Sequence, residues 1–507
     1  MTMLISRRGL LGATVSLPFL HLAEAAAATS DTLKFGLSAF PTSLEPFLNN
    51  GTSPATMRLM MHRGLFGYAP DGTLRGELAE HWENDGGVKW TIRLREAFWH
   101  NGAPVTVDDV RYTIETVGAE KSTAYLRAQM QDIVKIETPD PRTLTLTTKT
   151  PIVTLPLWFG SYYLPIIGKG SWKANAPGEG AGPFVLGDVE RGQSIEFAAF
   201  DKFYDKSKPK LKKVRFIAYP DENLRVAALQ AGDVDIIDYV PWQAMEAIEA
   251  DARLKLESTS GPFMFLQFNF QRKPFDDPRV RLAVAHAIRR DEIVKAAFFG
   301  RGAALEGFAT PDNSPYFEPD LAHDWRYDPQ KAKALLAEAG VGDGLKCTLL
   351  STAQYGMHKN TAEVVQQHLG EIGIAAELTL PDWATRVTMG NKGQYDIAVQ
   401  GTAWENADPE SYSQLIDGAL APSAARSYGI DIPELGPLLA AGRSEFDPAK
   451  RKQIYRDVQR ISLEKCPYVS LAWRSQGYAM KKEVQGFVNI PGPITFYSGT
   501  TLEQTTV

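Results

Sequence analysis

The residue types that most often perform catalysis are present in this sequence without the spacing that catalysis needs. None of its eight histidines stands three or four positions from another, so a zinc site on one helix face is not predicted. The sequence contains no G-x-S-x-G nucleophile turn, no phosphate-binding glycine loop and no H-E-x-x-H motif. The 60 acidic residues allow many carboxylate pairs for glycoside hydrolysis, and nothing singles one out. We therefore expect no enzyme and no cofactor or metal; a secreted hydrolase is the distant alternative.

One segment instead combines aromatic and carboxamide side chains in a way that suits binding. Alternate residues of a strand point to opposite faces, and one face of segment 263–270 is apolar throughout. The opposite face changes from aromatic to carboxamide, carrying Phe263, Phe265, Gln267 and Asn269. This change is typical of a partly wet cleft wall, which makes Gln267 and Asn269 candidate binding residues. A sheet covered on both sides, with one satisfied amide pair, is the alternative.

The sequence contains two cysteines, Cys347 and Cys466. They could form one disulfide in an oxidising compartment, or remain as two unpaired buried thiols. Their spacing does not decide between these alternatives.

Mixed strand and helix patterns must position these residues. Alternating apolar and polar residues predict strands at 88–95 and 144–146, whereas 280–288 and 364–372 show helical spacing. Asp328-Pro329 and Asp447-Pro448 are typical helix starts. At 507 residues, with 44% hydrophobic and 22% charged residues, the chain should form two or three packed units. The sequence predicts an α/β protein of several lobes.

Net charge excludes some partners. A formal charge of −6 without a long Lys/Arg run offers no basic surface for nucleic acid or for an anionic membrane.

The first 28 residues have the composition of an export signal. Arg7 and Arg8 precede a moderately apolar run at 9–20 and a small-residue tract at 25–28. The run is shorter than the roughly 20 residues that span a bilayer, and the arginine pair resembles a twin-arginine signal. We expect cleavage between 25 and 28 and a soluble product outside the cytoplasm.

Six segments in a fixed order carry a family resemblance. They are LRGELAEHWE at 74–83, WTIRLR at 90–95, FWHNGAPVTVDDV at 98–110, GAGPF at 180–184, PFDDPRVRLA at 274–283 and the YDP…AG block at 327–340. Together they resemble the family 5 solute-binding proteins of peptide- and nickel-type ABC importers.

The resemblance implies a two-lobed periplasmic binding protein fold that closes over its ligand about a hinge. Lobe I would contain 29–262 and 478–507, with an extra subdomain at about 77–185, and lobe II would contain 270–472. The crossings would lie near 263–269 and 473–478. The expected partners are a small solute and the importer's membrane subunits, and the protein should be a monomer.

The resemblance also implies one end of the ligand site. Peptide receptors of this family hold the ligand's amino terminus with an acidic residue after a central strand, here at 395–400. Glu405 or Asp408 would supply that carboxylate, and Trp404 would supply an apolar or cation–π wall. A helix cap is the alternative role for Asp408.

The other end of a peptide needs a cation. Dipeptide receptors use an arginine just before the helix that we expect here from about Asn360, but this sequence has His358 and Lys359, with Tyr355 nearby. Arg386, after Trp383, could replace the arginine from another strand. A peptide or peptide-like ligand is the first expectation; an opine, an oligosaccharide or sugar conjugate, or a metal chelate are the alternatives.

Loops at the ends of strands complete the predicted site. Because ligands bind at the carboxyl ends of strands in such sheets, the loop after strand 33–37 should line the cleft. Phe40 is the preferred aromatic there and Asn50 a polar candidate. Trp242, after an Asp-rich strand end, is a further candidate.

Overall fold

The computed structural model describes residues 31–48, 51–342 and 344–507. The predicted export segment and Asn50 lie outside the described residues.

Two long antiparallel strands cross the middle of the molecule and join its two α/β regions. They are β12 and β17, paired from Leu254 with Lys481 to Gln267 with Tyr468. The described strands are β1 Thr32–Leu37, β2 Phe66–Tyr68, β3 Leu74–Gly76, β4 Ala79–Asp85, β5 Lys89–Leu94, β6 Ile133–Asp140, β7 Thr143–Thr148, β8 Phe184–Glu190, β9 Ser194–Ala199, β10 Lys213–Ala218, β11 Ile236–Ile237, β12 Leu254–Phe268, β13 Gly302–Ala304, β14 Leu345–Leu350, β15 Ile374–Thr379, β16 Ile397–Thr402 and β17 Tyr468–Lys481.

Helices cover the sheet and supply much of the cleft. They are α1 Thr52–Met61, α2 Val107–Gly118, α3 Arg127–Gln131, α4 Leu155–Trp158, α5 Glu222–Ala231, α6 Met245–Ala250, α7 Pro278–Ala287, α8 Arg290–Phe298, α9 Pro329–Glu338, α10 Gly356–Glu371, α11 Trp383–Asn391, α12 Ser413–Ile416, α13 Leu435–Ser444 and α14 Pro448–Lys465, with 3₁₀ turns at Trp242–Ala244, Pro409–Tyr412 and Gly492–Gln504. The predicted starts of α9 and α14 are confirmed, because the Asp328 and Asp447 carboxylates accept hydrogen bonds from backbone N–H groups of the first turn.

The main sheet runs through the whole molecule in the order β15-β14-β16-β12-β17-β11-β1-β10-β9-β8. On one side of the crossing pair, β1 is parallel to β10 and β11; on the other, β14 is parallel to β15 and β16. The carboxyl ends of β1 and β16 therefore lead into loops that face the same cleft. The predicted crossings lie on or next to β12 and β17, and the proposed lobe boundaries stay a prediction.

A separate four-stranded sheet, in the order β4-β5-β7-β6, lies within the predicted extra subdomain. The predicted strands are confirmed: Trp90, Ile92 and Leu94 on β5 and Leu144 and Leu146 on β7 are buried. Helix α2 begins with a capping box in which Thr106 and Asp109 bond each other's backbone N–H groups.

The interpretation of segment 263–270 as a cleft wall is wrong, and the alternative of a sheet covered on both sides holds. Every residue from Phe263 to Phe268 is buried. The Gln267 Nε2 donates to the Tyr395 hydroxyl at 3.1 Å, and the Asn269 Nδ2 donates to the Gly393 carbonyl at 2.8 Å. Both side-chain amides make hydrogen bonds within the fold, because helices and loops cover each face of the sheet.

Both cysteine thiols are free and buried, so the two-thiol alternative holds. Burial raises the pKa of each thiol to about 12, which keeps both protonated. Among the described helices, none has the length and apolarity needed to cross a membrane.

Candidate functional site

A cavity of about 160 Å³ opens between the two sides of the crossing pair; we call it the main cavity. Its walls come from the loop after β1, the start of α1, the starts of α10 and α11, the end of β16 and the middle of β17. Its aromatic, charged and larger polar side chains include Phe40, Tyr125, Tyr162, Tyr163, Tyr239, Tyr355, His358, Trp383, Arg386, Gln400, Glu405, Gln414 and Arg474.

Two buried guanidinium groups form one end of the main cavity. Arg386 donates from Nη1 to the Ala424 carbonyl at 3.1 Å and from Nη2 to the Val399 carbonyl at 2.8 Å. Arg474 donates from Nη1 to the Gln476 Oε1. Among the described residues, the Nε of each arginine has no hydrogen-bond partner, and neither arginine pairs with a carboxylate.

Burial of these two charges is nearly complete. Arg386 is 0% exposed and Arg474 1%, and desolvation lowers the pKa of both, that of Arg386 to about 10. Both still carry a full positive charge at neutral pH. Two buried positive charges without a carboxylate partner among the described residues therefore lie beside the cavity.

A histidine and aromatic rings surround the arginines. Burial, with the charges of Arg386 and Arg474, lowers the pKa of His358 well below its usual value, so its ring is neutral. The Trp383 ring lies 5.6 Å from the His358 ring, 5.5 Å from the Tyr355 ring and 5.6 Å from the Arg386 guanidinium. These rings exclude water and strengthen any ion pair formed there.

Another part of the cavity carries the partly exposed Glu405 carboxyl group among tyrosines. Burial raises the pKa of Glu405 to about 7, with a smaller contribution from Glu410, while a hydrogen bond from Tyr125 and the nearby Arg426 lower it. The ring centroids of Tyr125 and Tyr163 are 4.6 Å apart, and those of Tyr162 and Tyr163 are 4.5 Å apart. This part of the cavity can donate or accept hydrogen bonds at neutral pH.

Six predicted residues line the main cavity: Phe40, Tyr355, His358, Trp383, Arg386 and Glu405. Their roles in binding stay a prediction. Arg386 reaches the cavity from helix α11, not from a strand as expected.

The structure places Trp404 and Asp408 outside the lining of the main cavity, which corrects their predicted roles. Trp404 is buried in the core, where its Nε1 donates to the Ala309 carbonyl at 2.6 Å. Asp408 caps the turn at Glu410 and pairs with Arg451 through two bonds of 2.7 and 2.8 Å. The alternative role of Asp408, as the cap of a helical turn, is confirmed. Asp408 precedes a proline at the first position of a 3₁₀ turn.

Trp242 and Lys359 also lie outside the lining. The Trp242 ring packs edge-on against Phe298 at 5.1 Å, so it belongs to the core. Helix α10 starts at Gly356, four residues before the expected start. His358 and Lys359 are therefore neighbours on a helix, about 100° apart around its axis; His358 turns inward, while the Lys359 side chain is 47% exposed beside Glu363.

Sequence reasoning missed Arg474, Gln400 and four tyrosines, namely Tyr125, Tyr162, Tyr163 and Tyr239. The sequence pattern pointed to Arg474, since Arg474 and Gln476 are long polar side chains within the mostly apolar segment 468–480. A polar residue that is buried in a strand has to meet a partner. The Tyr162-Tyr163 doublet follows a short helix and could not be placed without the tertiary fold.

Comparison with known proteins agrees with this architecture. Residues 73–421, more than half of the chain, match the model of the bacterial extracellular solute-binding proteins, family 5 Middle. The chain is 25% identical over 480 residues to the glutathione-binding protein GsiB of Escherichia coli K12, covering 89% of this chain and 90% of the relative.

Solved structures include one much more similar in sequence. AgaA of A. tumefaciens R10, in complex with agropinic acid, is 39% identical, with a TM-score of 0.90 over 94% of this chain and 98% of that one. DppA of Helicobacter pylori, in complex with the peptide STSA, is 21% identical with a TM-score of 0.85, covers 93% and 98% of the two chains, and shows the fold alone. The fold is that of a two-lobed periplasmic binding protein, as the sequence predicts.

Proposed function

Because the chain belongs to the family 5 bacterial extracellular solute-binding proteins, we propose that it captures a small carboxylate-bearing solute of the opine type. Proteins of this family are the solute-binding components of ABC importers and work with the importer's membrane subunits. The family that the sequence predicts is confirmed, and the class of solute is what we propose.

The observation that carries the proposal is the pair of buried arginines, Arg386 and Arg474. Both line one cavity, and among the described residues neither guanidinium pairs with a carboxylate. Leaving a buried charge unpaired is costly, and a solute carboxylate removes that cost by accepting from both groups. Charge-assisted hydrogen bonds of this kind are the strong ones.

Similarity supports the opine class. AgaA, solved with agropinic acid, is 39% identical to this chain across most of its length. A cavity of about 160 Å³ also suits a small solute better than a long peptide, since roughly 150 Å³ accommodates a molecule the size of benzene.

A short peptide is the second candidate, and Glu405 is the observation that favours it. The Glu405 carboxyl group could hold an ammonium, with the tyrosines around it. Binding an ammonium would require Glu405 to lose its proton, because burial raises its pKa to about 7. At a pH below 7, a peptide would therefore release a proton on binding, whereas a solute without an ammonium would not.

The remaining parts of the proposal follow from the family. We propose that the chain is exported by the twin-arginine signal at 1–28, acts in the periplasm as a monomer and performs no catalysis. Ligand binding would hold the two lobes closed, and the membrane subunits would recognise that closed form.

Native mass spectrometry of the chain from residue 29 tests the proposal. A co-purifying small molecule that leaves on mild denaturation and carries a carboxylate is expected. A neutral sugar in its place would contradict the anion site. If no molecule co-purifies, a thermal-shift screen follows, in which agropinic acid should raise Tm by mass action and Met-Leu or glutathione should raise it less.

A further inference from the structure

The turn between β4 and β5 contacts the loop between α13 and α14. Its two glycines, Gly86 and Gly87, have left-handed φ angles of 59° and 71°, a conformation that glycine adopts without strain. The Phe446 ring lies over Gly87, where an added Cβ would stand 2.1 Å from the Cζ and 2.4 Å from the Cε2 of the ring. At Gly86, no described residue apart from its chain neighbours comes within 4 Å of such a Cβ. Only Gly87 therefore needs to lack a side chain for the contact with Phe446.

The fit between the ring and the glycine indicates a specific contact. Phe446 is 46% exposed, and a single exposed aromatic residue is ordinary on a protein surface. Gly87, however, is buried although it lies in a hairpin turn. The ring covers backbone that would otherwise face water, and part of its own apolar surface is removed from water in return.

The Gly87 turn belongs to the edge of the predicted extra subdomain that meets the predicted lobe II. The Gly87 carbonyl accepts from the Ile152 N–H at 3.0 Å. The next residue, Val153, donates from its N–H to the Arg443 carbonyl at 2.9 Å, and Arg443 is three positions before Phe446. The hydrogen bond and the ring contact therefore lie side by side along one seam.

This seam lies apart from the main cavity. Neither Gly87 nor Phe446 lines that cavity, so neither would contact a solute bound there. The predicted subdomain nevertheless supplies Tyr125, Tyr162 and Tyr163 to the cavity wall. The wall is complete only while the subdomain rests against lobe II, so a contact at the seam favours the form that encloses a solute.

We propose that the Phe446 ring and the Gly87 turn form a latch, which holds the subdomain against lobe II and sets the affinity for the solute without contacting it. This inference rests on the proposed function, because it takes the main cavity as the solute site. Loss of the latch lowers the fraction of molecules in the binding-competent form, and the apparent affinity falls with that fraction.

Substitutions of the two glycines test the latch by calorimetric titration of the full chain with agropinic acid. Asparagine tolerates the left-handed conformation, so both Gly86→Asn and Gly87→Asn keep the turn, but only Gly87→Asn places a side chain under the ring. Gly87→Asn and Phe446→Ala should each weaken binding about fivefold, and Gly86→Asn should leave it unchanged. In the Phe446→Ala background, Gly87→Asn should have no further effect, because the ring that it displaces is gone.

Spin labels measure the docking of the subdomain itself, with and without agropinic acid. Cysteines that replace Glu83 on β4 and Gln453 on α14, both exposed, carry the labels, since the two native thiols are buried. The distance between the labels should be longer in Gly87→Asn and in Phe446→Ala than in Gly86→Asn or in the otherwise unaltered chain.

The outcomes separate the latch from the proposed function. Equal affinities of the two glycine variants for agropinic acid would overturn the latch. Weaker binding by Gly87→Asn with the same label distances as Gly86→Asn would also overturn it, because the loss would not arise from docking. If agropinic acid binds none of the proteins, the opine proposal fails, and the distances without ligand decide: a longer distance in Gly87→Asn supports the latch, and equal distances contradict it.

Discussion

Arg386 and Arg474 show how a binding protein can keep two like charges in one place. Backbone carbonyls of Ala424 and Val399 hold Arg386, and the Gln476 side chain holds Arg474. These neutral partners fix the guanidinium groups without neutralising their charge, which the proposed solute carboxylate would do. Such pre-organisation lowers the cost of ordering side chains when the ligand binds.

Replacing one of these arginines should weaken solute binding without lowering the stability of the fold. In Arg474→Met, the affinity for agropinic acid should fall about 100-fold, because losing one partner of a buried charge pair costs about 2–5 kcal/mol. The stability of the ligand-free protein in urea should stay the same or rise, since an apolar side chain replaces an unpaired buried charge. Calorimetry and urea unfolding measure the two effects, and Lys359→Met is the control. Unchanged affinity would remove Arg474 from the site.

Glu405 should make stability depend on pH. Because burial raises its pKa from 4.5 to about 7, the folded state binds this proton more tightly than the unfolded state. Its contribution is fully present below pH 4.5 and is lost as the pH rises through about 7, by about 1.4 kcal/mol for each unit between the two pKa values. Glu405→Gln removes this dependence.

Urea unfolding at pH 5 and pH 8 measures this pH dependence of the stability. The unaltered protein should lose more stability between these pH values than Glu405→Gln does. Glu363→Gln, a change at a half-exposed glutamate on α10, should behave like the unaltered protein. The same loss of stability in all three proteins would show that Glu405 does not keep its proton in the fold.

At the level of elements, the sequence predicted what local patterns encode. Alternation fixed strand β5, and the Asp-Pro pairs fixed the starts of α9 and α14. Phe40, Tyr355, His358, Trp383, Arg386 and Glu405 line the main cavity, and their roles in binding stay a prediction. The errors came from tertiary packing. Nothing local says that β12 is covered on both faces, or that α10 begins at Gly356 and turns Lys359 outward.

A substitution of Asp408 tests whether this residue stabilises the fold or contacts the solute. Asp408→Ala removes a cap and the pair with Arg451, whose side chain is 6% exposed, and should lower the free energy of unfolding by about 3 kcal/mol or more. Asp447→Ala removes only the cap of α14 and should cost about 1 kcal/mol. The affinity for the solute should be unchanged in both variants. A large loss of affinity in Asp408→Ala alone would return this residue to the site.

At the scale of the whole molecule, two hydrogen bonds join the predicted extra subdomain to the predicted lobe II. The Trp158 Nε1 donates to the Glu410 Oε1 at 2.7 Å, and the Val153 N–H donates to the Arg443 carbonyl at 2.9 Å. Each joins the predicted extra subdomain to the predicted lobe II. With the solute bound between them, these contacts would favour closure over an open state.

Small-angle scattering should detect that closure. Ligand should reduce the radius of gyration of the unaltered protein. Trp158→Phe, which keeps the ring packing and removes the bond to Glu410, should give a larger radius without ligand and a few-fold weaker affinity. A radius that does not change with ligand in either protein would mean that the lobes do not move about the β12–β17 crossing.

The most direct test of the central claim is a calorimetric titration of the chain from residue 29 with agropinic acid, beside Met-Leu and glutathione. The account predicts saturable binding of agropinic acid that is tighter than that of either peptide, and its loss in the double variant Arg386→Met/Arg474→Met. Binding of Met-Leu or glutathione with no heat from agropinic acid would contradict the opine assignment. Agropinic acid binding that survives the double variant would contradict the role of the two arginines.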